Sequence, residues 1–334
     1  MALLLLFSAA DAGLAQEPAT VVQGDPVDVR IALIELRGVG PGGGPLLELR
    51  PDDLQVEVEG KAVAIEAIEL LSSLAPPPEP GAPLVPLPDL PRPKLVIFLV
   101  QADLNGLRLS GHRAFLGSVE SLLEVLGPGD QAGVFAFGSS LALELDLTDN
   151  RDQIASALRR GARLEPSQGP LDRNGPLARR LDPHAASRVV SPEQALEQIA
   201  MALVDRDEEI VVVLLGWGLG RYGSDGVKMN PSWPRAKAAL GRIDAPLFIV
   251  DITDADFHSL EVALQEGARA TGGAYLRAKD FPEGVAKRLA NALRTTVQVW
   301  VRVPADTPDG APVSVQLRER AGTLMETPRR LGGG

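Results

Sequence analysis

Cysteine is absent from the 334 residues, and only three histidines occur, His112, His184 and His258. The first absence excludes a disulfide framework, thiolate-ligated zinc and a cysteine nucleophile. The second leaves little for a histidine-rich metal centre or an imidazole relay. Aromatic residues are also scarce, at 4% of the chain. Positive charge is outnumbered: 33 Lys and Arg against 44 Asp and Glu give a formal charge of −11. A negative surface opposes binding to a phosphate backbone, so no nucleic-acid partner is expected. No apolar run reaches the roughly 20 residues that a membrane-spanning helix requires, so no membrane span is expected in the mature chain.

What is present reads as globular. Hydrophobic residues make up 45% of the chain and charged residues 23%, the balance of a packed core and not of a disordered polymer. The 34 Gly and 28 Pro predict long irregular connections. Residues 1–10 read MALLLLFSAA, too short to cross a bilayer. With Gly13 and Ala15 ahead of Gln16 they read as a signal peptide over residues 1–16, although no Lys or Arg precedes the run. Export to the periplasm or the cell exterior is the expectation.

The pattern changes twice along the chain. Residues 27–36 alternate as a half-buried strand. Residues 54–58 and 62–71 flank a Glu59-Gly60-Lys61 turn and predict a hairpin. Residues 73–93 hold nine prolines, which fix φ and remove amide donors, so they predict an extended linker. Beyond it, residues 95–100 (LVIFLV) are apolar throughout, as in a strand buried on both faces of a parallel sheet. Further strands at 132–137, 210–215, 247–252 and 274–276 alternate with helices, and 141–145 reads as a short edge strand. Ser110 is expected to cap a helix carrying Phe115 to Leu126, and Asp149 one that runs to Leu158. Ser191-Pro192-Glu193-Gln194 is a helix start with a cap, a first-turn Pro and a Gln three residues on. Residues 160–190 are read as a long loop. After residue 296 the period returns to two, at 297–303 and 313–320.

Alternating strands and helices imply a doubly wound α/β domain over residues 94–295, with a mostly parallel six-stranded sheet flanked by helices. The β segments at 20–72 and 296–328 cannot each bury an apolar face alone. They are expected to join as one small, discontinuous β-sandwich-like domain into which the α/β domain is inserted.

Several segments, in order, carry a resemblance: LRPDDLQVEVEGK (49–61), the Pro-rich linker, LVIFLV (95–100), GDQAGVFAFGSSLALELDLTDN (129–150), ATGGAYLRAKD (270–280) and PADTPDG (304–310). The central domain resembles a von Willebrand factor A (VWA) domain, and most of the chain resembles the bacterial VWA-related family described from Acidobacteria. The resemblance implies a Rossmann-like fold and a non-enzymatic, adhesion-type protein-interaction role. In that family a metal-ion-dependent adhesion site uses Asp-x-Ser-x-Ser after the first strand, a Thr from a later loop and an Asp after the fourth strand. A hard Mg²⁺ wants such oxygen ligands in octahedral geometry. Here the first motif reads Gln101-Ala102-Asp103-Leu104-Asn105, Trp217 stands where the later Asp belongs, and residues 160–190 offer no counterpart for the Thr. The resemblance therefore implies a degenerate site with no metal, Mg²⁺ included, and no other cofactor. Were a cation held, Asp103 and Asn105 would supply oxygens, joined by the acidic residues of 251–256, in a rearranged cation-dependent adhesion site. The expected partner is an unidentified protein, docking on a face of Gln101, Asp103, Asn105, Trp217, Tyr222 and Asp254. No catalytic residue is assigned.

Other constellations have plainer readings. Gly218-Leu219-Gly220-Arg221-Tyr222-Gly223 matches G-x-G-x-x-G, but Asp225-Gly226, Pro231 and Pro234 break the helix that a dinucleotide fingerprint should open. It is read as a flexible loop. The acidic stretch from Asp251 to His258 lies at a strand C-terminus, where open α/β sheets bind ligands. A hydrolase built on it is the remote alternative, and capping of the next helix by Thr253 or Asp254 is the favoured reading. Trp217, Tyr222 and Trp233 bring aromatics into one region, either as an interface anchor or, for Trp217, as a plug in the vacated metal site. Arginines between Arg159 and Arg188 are read as a solvated loop.

Overall fold

The described course of the chain, in the computed structural model, comprises residues 28–46, 49–72, 93–102, 106–163, 174–279, 281–318, 321–326 and 331. The expected signal peptide, and all of the Pro-rich linker except Pro93, lie outside these residues.

The first strand, β1 (Val29–Val39), buries Ala32, Ile34 and Leu36 at alternate positions, as its period of two requires. β2 (Leu54–Val58) turns through Glu59 and Gly60, both at positive φ (52° and 74°), into β3 (Lys61–Ala62). The expected hairpin is only partly formed. β3 pairs with β2 over two residues, and β4 (Ala64–Ser72) then leaves for a different sheet.

β5 (Lys94–Gln101) is buried at every position. The reason is visible in its packing. Val96, Phe98 and Val100 enter the core under one helical layer, while Leu95, Ile97 and Leu99 enter the core under the other. A strand so placed has no solvated face, which is why its sequence shows no alternation. Then follow α1 (Gly106–Leu116), α2 (Val119–Leu123), β6 (Gln131–Phe137), β7 (Leu141–Thr148), α3 (Arg151–Ala162), α4 (Pro183–Ser187), α5 (Pro192–Leu203) and β8 (Glu209–Gly216). A small antiparallel hairpin, β9 (Arg221–Gly223) and β10 (Gly226–Lys228), precedes α6 (Trp233–Arg242). β11 (Leu247–Asp251), α7 (Glu261–Thr271), β12 (Tyr275–Arg277) and α8 (Pro282–Leu293) complete the unit. The sheet order is β12-β11-β8-β5-β6-β7, parallel throughout except for β7.

Only Arg294 separates α8 from β13 (Thr295–Pro304). β14 (Val313–Leu317) and β15 (Thr323–Glu326) follow; the last was not expected. Two sheets result, β15-β1-β13-β4 and β14-β2-β3, sharing a core of residues such as Ile34, Val56, Val299 and Val301. Segments from both sides of the α/β unit thus build one β unit, and the expected fold class is the one observed. The two units touch through an Arg37–Glu209 ion pair and a hydrogen bond from Asn291 Nδ2 to Gly43 O, 3.0 Å.

Local starts differ from expectation in three places. Ser110 lies inside α1, whose apolar stripe continues in the separate α2. Asn150, not Asp149, caps α3, accepting from the Gln153 N–H. α7 begins at Glu261 with Leu260 at its N-cap, so neither Thr253 nor Asp254 caps it. Ser191 does cap α5, accepting from the Gln194 N–H.

Candidate functional site

Open α/β sheets bind ligands where successive strands wind away in opposite directions, outside the strand C-termini. In this sheet that point lies between β5 and β8. Gln101 ends β5 and is only 2% exposed. Its Oε1 accepts the backbone N–H of Trp217 at 3.0 Å and of Gly218 at 3.1 Å, just past β8. The carboxamide therefore satisfies two amides that the end of β8 would otherwise leave buried without a partner. Behind it, the buried His112 of α1 bonds through Nε2 to the Gln101 carbonyl at 3.0 Å. Trp217 is half-buried, and the Arg108 guanidinium sits 3.3 Å from the centroid of its ring, a cation–π stack. Trp217 Nε1 and Thr253 Oγ1 are buried and meet no hydrogen-bond partner among the described residues.

Neither described member of the altered ligand set fits a divalent cation. The Gln101 oxygen is neutral and already accepts two N–H groups, and an indole offers no oxygen. Asp103 and Asn105 lie outside the described residues. Among those residues, no three His, Asp or Glu side chains come together as metal ligands.

The second part of the edge is polar. Asp251, 1% exposed, ends β11. Its Oδ1 accepts the Thr253 N–H at 3.0 Å, and its Oδ2 meets His258 Nε2 at 2.6 Å and the Tyr275 hydroxyl at 2.7 Å. Burial pushes this carboxyl up, but the His258, Thr253 and Tyr275 hydrogen bonds and the His258 charge together outweigh it and hold it below the usual range. Burial, then the Asp251 hydrogen bond and charge, and then Glu261 push the Tyr275 phenol well up. The loop from residue 252 to 260 is tied elsewhere too. The Ser110 hydroxyl donates to Asp254 at 2.7 Å, Arg277 donates to the Ala255 and Asp256 carbonyls, and Lys279 pairs with Asp256. A Cβ on Gly111 would stand 1.6 Å from the Ile252 carbonyl oxygen, so α1 meets this loop backbone to backbone.

The glycine-rich motif opens no helix; it forms the β9–β10 hairpin where a flexible loop was expected. Gly220 has φ +72°, and a Cβ there would lie 2.5 Å from the Lys228 carbonyl oxygen, so glycine is required. Its N–H is taken by the fully buried Glu193 carboxylate.

The structure separates several residues grouped in the sequence. Tyr222 is 71% exposed on β9, whereas Trp233 is 7% exposed and packed in the core beneath α6. Gln101 and Trp217 do meet at the switch point, and Asp254 stands exposed where α1 meets the β11 loop. Arg159 and Arg180 pair with Glu120 and Asp205. Sequence reasoning missed Arg108, His112, Glu193 and Tyr275. A single Arg, a His on an apolar helix face or a Tyr in a short strand carries no pattern that marks it.

No family model and no curated protein matches the chain. Several solved structures align with the chain. The PilB minor pilin from Streptococcus sanguinis aligns at 11% identity and TM-score 0.38, over 61% of this chain and 61% of the pilin. The chain thus spans about three-fifths of the pilin's length. A von Willebrand factor type A protein from Catenulispora acidiphila aligns at 11% identity and TM-score 0.43, over 91% of this chain and 73% of that one. The vWF domain of the type V pili tip protein Mfa5 from Porphyromonas gingivalis aligns at 9% identity and TM-score 0.38, over 61% and 95%. The strand order and connections described above are those of a doubly wound α/β fold. No helix among the described residues is long and apolar enough to cross a membrane.

Proposed function

We propose that this chain is an exported, non-enzymatic protein-interaction module of adhesion type. It docks a protein partner on the C-terminal edge of its α/β sheet and uses no metal to do so. The observation that carries the reading is Gln101. Its oxygen is spent on the Trp217 and Gly218 amides, so the switch point where this fold class binds a ligand is closed by the protein's own groups. The Trp217–Arg108 stack adjoins it through the Trp217 backbone, and aromatic and Arg side chains are favoured interface anchors. The Asp251–His258–Tyr275 cluster holds a loop in place; each Asp251 oxygen already has its partners, which argues against a hydrolytic role.

Two measurements test this. Titration calorimetry with Mg²⁺, Mn²⁺ and Ca²⁺ is expected to give no binding tighter than about 1 mM, the weak end of protein cation sites; micromolar affinity would sink the metal-free part. A pull-down with the mature protein is expected to lose its partner in a Trp217→Ala/Tyr222→Ala variant. Equal retention would remove the docking face from this edge.

A further inference from the structure

Asparagine is scarce in this chain, at five residues, and two of the five precede glycine. They are Asn105, outside the described residues, and Asn174, which is exposed at the head of a turn. The turn covers residues 174–181; the Arg179 and Leu181 N–H groups donate to the Gly175 and Leu177 carbonyls at 3.0 and 2.9 Å. One side chain of β7 fastens it to the sheet. Asp146 Oδ1 accepts the Leu177 N–H at 3.0 Å, and Oδ2 accepts the Ala178 N–H at 2.9 Å. Leu177, 1% exposed, is lodged in the core shared with α5. Gly175 packs on the same carboxylate: a Cβ there would lie 2.2 Å from Asp146 Oδ2 and 2.5 Å from its Cγ. Packing therefore admits only glycine after Asn174.

That dipeptide has a chemical consequence. Asn is thermolabile, and glycine has no side chain to shield its amide nitrogen from the side chain before it. The Gly175 nitrogen, on giving its proton to water, attacks Asn174 Cγ. The new C–N bond closes a five-membered succinimide, the Cγ–Nδ2 bond breaks, and the amide nitrogen leaves as ammonia with a proton returned from water. One water then adds to either ring carbonyl and breaks that carbon's bond to the ring nitrogen, leaving an aspartyl or an isoaspartyl linkage at position 174. The other described asparagines are held differently. Asn150 accepts the Gln153 N–H as the cap of α3, and Asn291 lies within α8 and donates to the Gly43 carbonyl. Asn230 precedes Pro231, which has no N–H to lose. We propose that Asn174 is a site of spontaneous deamidation, and that conversion there releases the 174–181 turn from β7. The isoaspartyl form adds a carbon to the main chain beside Gly175, where the contact with Asp146 leaves no slack. Either form adds a negative charge to the residue adjoining that carboxylate, and like charges so placed repel.

The test ages the whole folded chain in warm, mildly alkaline buffer. Each asparagine is followed by peptide mass mapping, and the isoaspartyl form by enzymatic methylation. A synthetic peptide of residues 170–180 and an Asn174→Gln protein are aged alongside. Because Asn174 is exposed, the variant is expected to fold as the wild type does, which circular dichroism checks. Wild type is expected to convert at Asn174 about tenfold faster than at Asn150 or Asn291. In a brief trypsin digest, cleavage after Arg179 and Arg180 should rise about fivefold on ageing of wild type, and should not rise in Asn174→Gln. An Asn174 that stays intact in the folded chain while the peptide converts fully overturns the site. So does conversion at Asn150 or Asn291 at the same rate. Conversion at Asn174 with no gain in cleavage overturns the release of the turn, as does an equal gain in aged Asn174→Gln.

Discussion

The two halves of the sheet's C-terminal edge solve the same problem in opposite ways. Both must end a buried strand without stranding its backbone polar groups. Between β5 and β8 the solution is inward: a neutral carboxamide takes two amides, one of them that of Trp217, whose indole stacks with the Arg108 guanidinium. Beyond β11 the solution is outward: a buried carboxylate holds an imidazole and a phenol, and so braces a loop that carries an exposed ring. The difference teaches that one sheet edge can be closed by neutral groups at one point and by an ionised group at another. Both halves hold their strand ends in place, one through a neutral carboxamide and the other through an ionised carboxylate.

Four substitutions break or sharpen that contrast. The largest effect is expected from Gly111→Ala, which strikes where the halves meet. Its Cβ would collide with the Ile252 carbonyl, and neither backbone can yield, so a loss of about 4 kcal/mol or no soluble protein is expected in urea unfolding. Gln101→Ala comes next. It leaves two amide donors without their acceptor, and about 3 kcal/mol should be lost. Asp251→Asn should cost about 2 kcal/mol at neutral pH, and here the halves part company. The Asp251 carboxyl is held below its usual range, so its contribution is present above the unfolded carboxylate value near 3.9 and disappears as pH falls through the lower folded value. The gap between Asp251→Asn and wild type should therefore close only in strong acid, whereas the Gln101→Ala gap should not vary with pH. A pH-independent Asp251→Asn gap would contradict the ionised description of that half. Ser110→Ala removes one exposed hydrogen bond to Asp254 and should shift stability by no more than about 1 kcal/mol.

The sheet was legible because its strands are buried on both sides. Runs such as 95–100 and 210–215 admit few other readings. The starts of α1 and α7 were misread because Ser110, Thr253 and Asp254 look like caps, yet Ser110 and Asp254 bond each other across two elements, and Thr253 lies well ahead of Glu261, where α7 begins. The hairpin at Gly60 was half right, because a turn fixes direction locally while β4's partner, β13, lies more than 200 residues on. At the site, Gln101 and Trp217 stood out as departures from a motif, and they do meet. Phe257 was passed over because it reads as the first residue of an amphipathic helix running to Thr271, whereas α7 begins at Glu261 and leaves Phe257 exposed in the loop before it.

The insertion has a mechanical meaning. The chain leaves the β unit from Ser72 and returns at Thr295, and these two residues are paired neighbours on β4 and β13. Tension applied between residue 28 and residue 326 therefore meets the antiparallel pairing of β1 with β15 and of β1 with β13 before it reaches the α/β unit. The α/β unit hangs beside that line of force as a closed side loop. It feels no pull until β4 and β13 are torn apart, so the α/β unit stays folded while the β unit bears the strain.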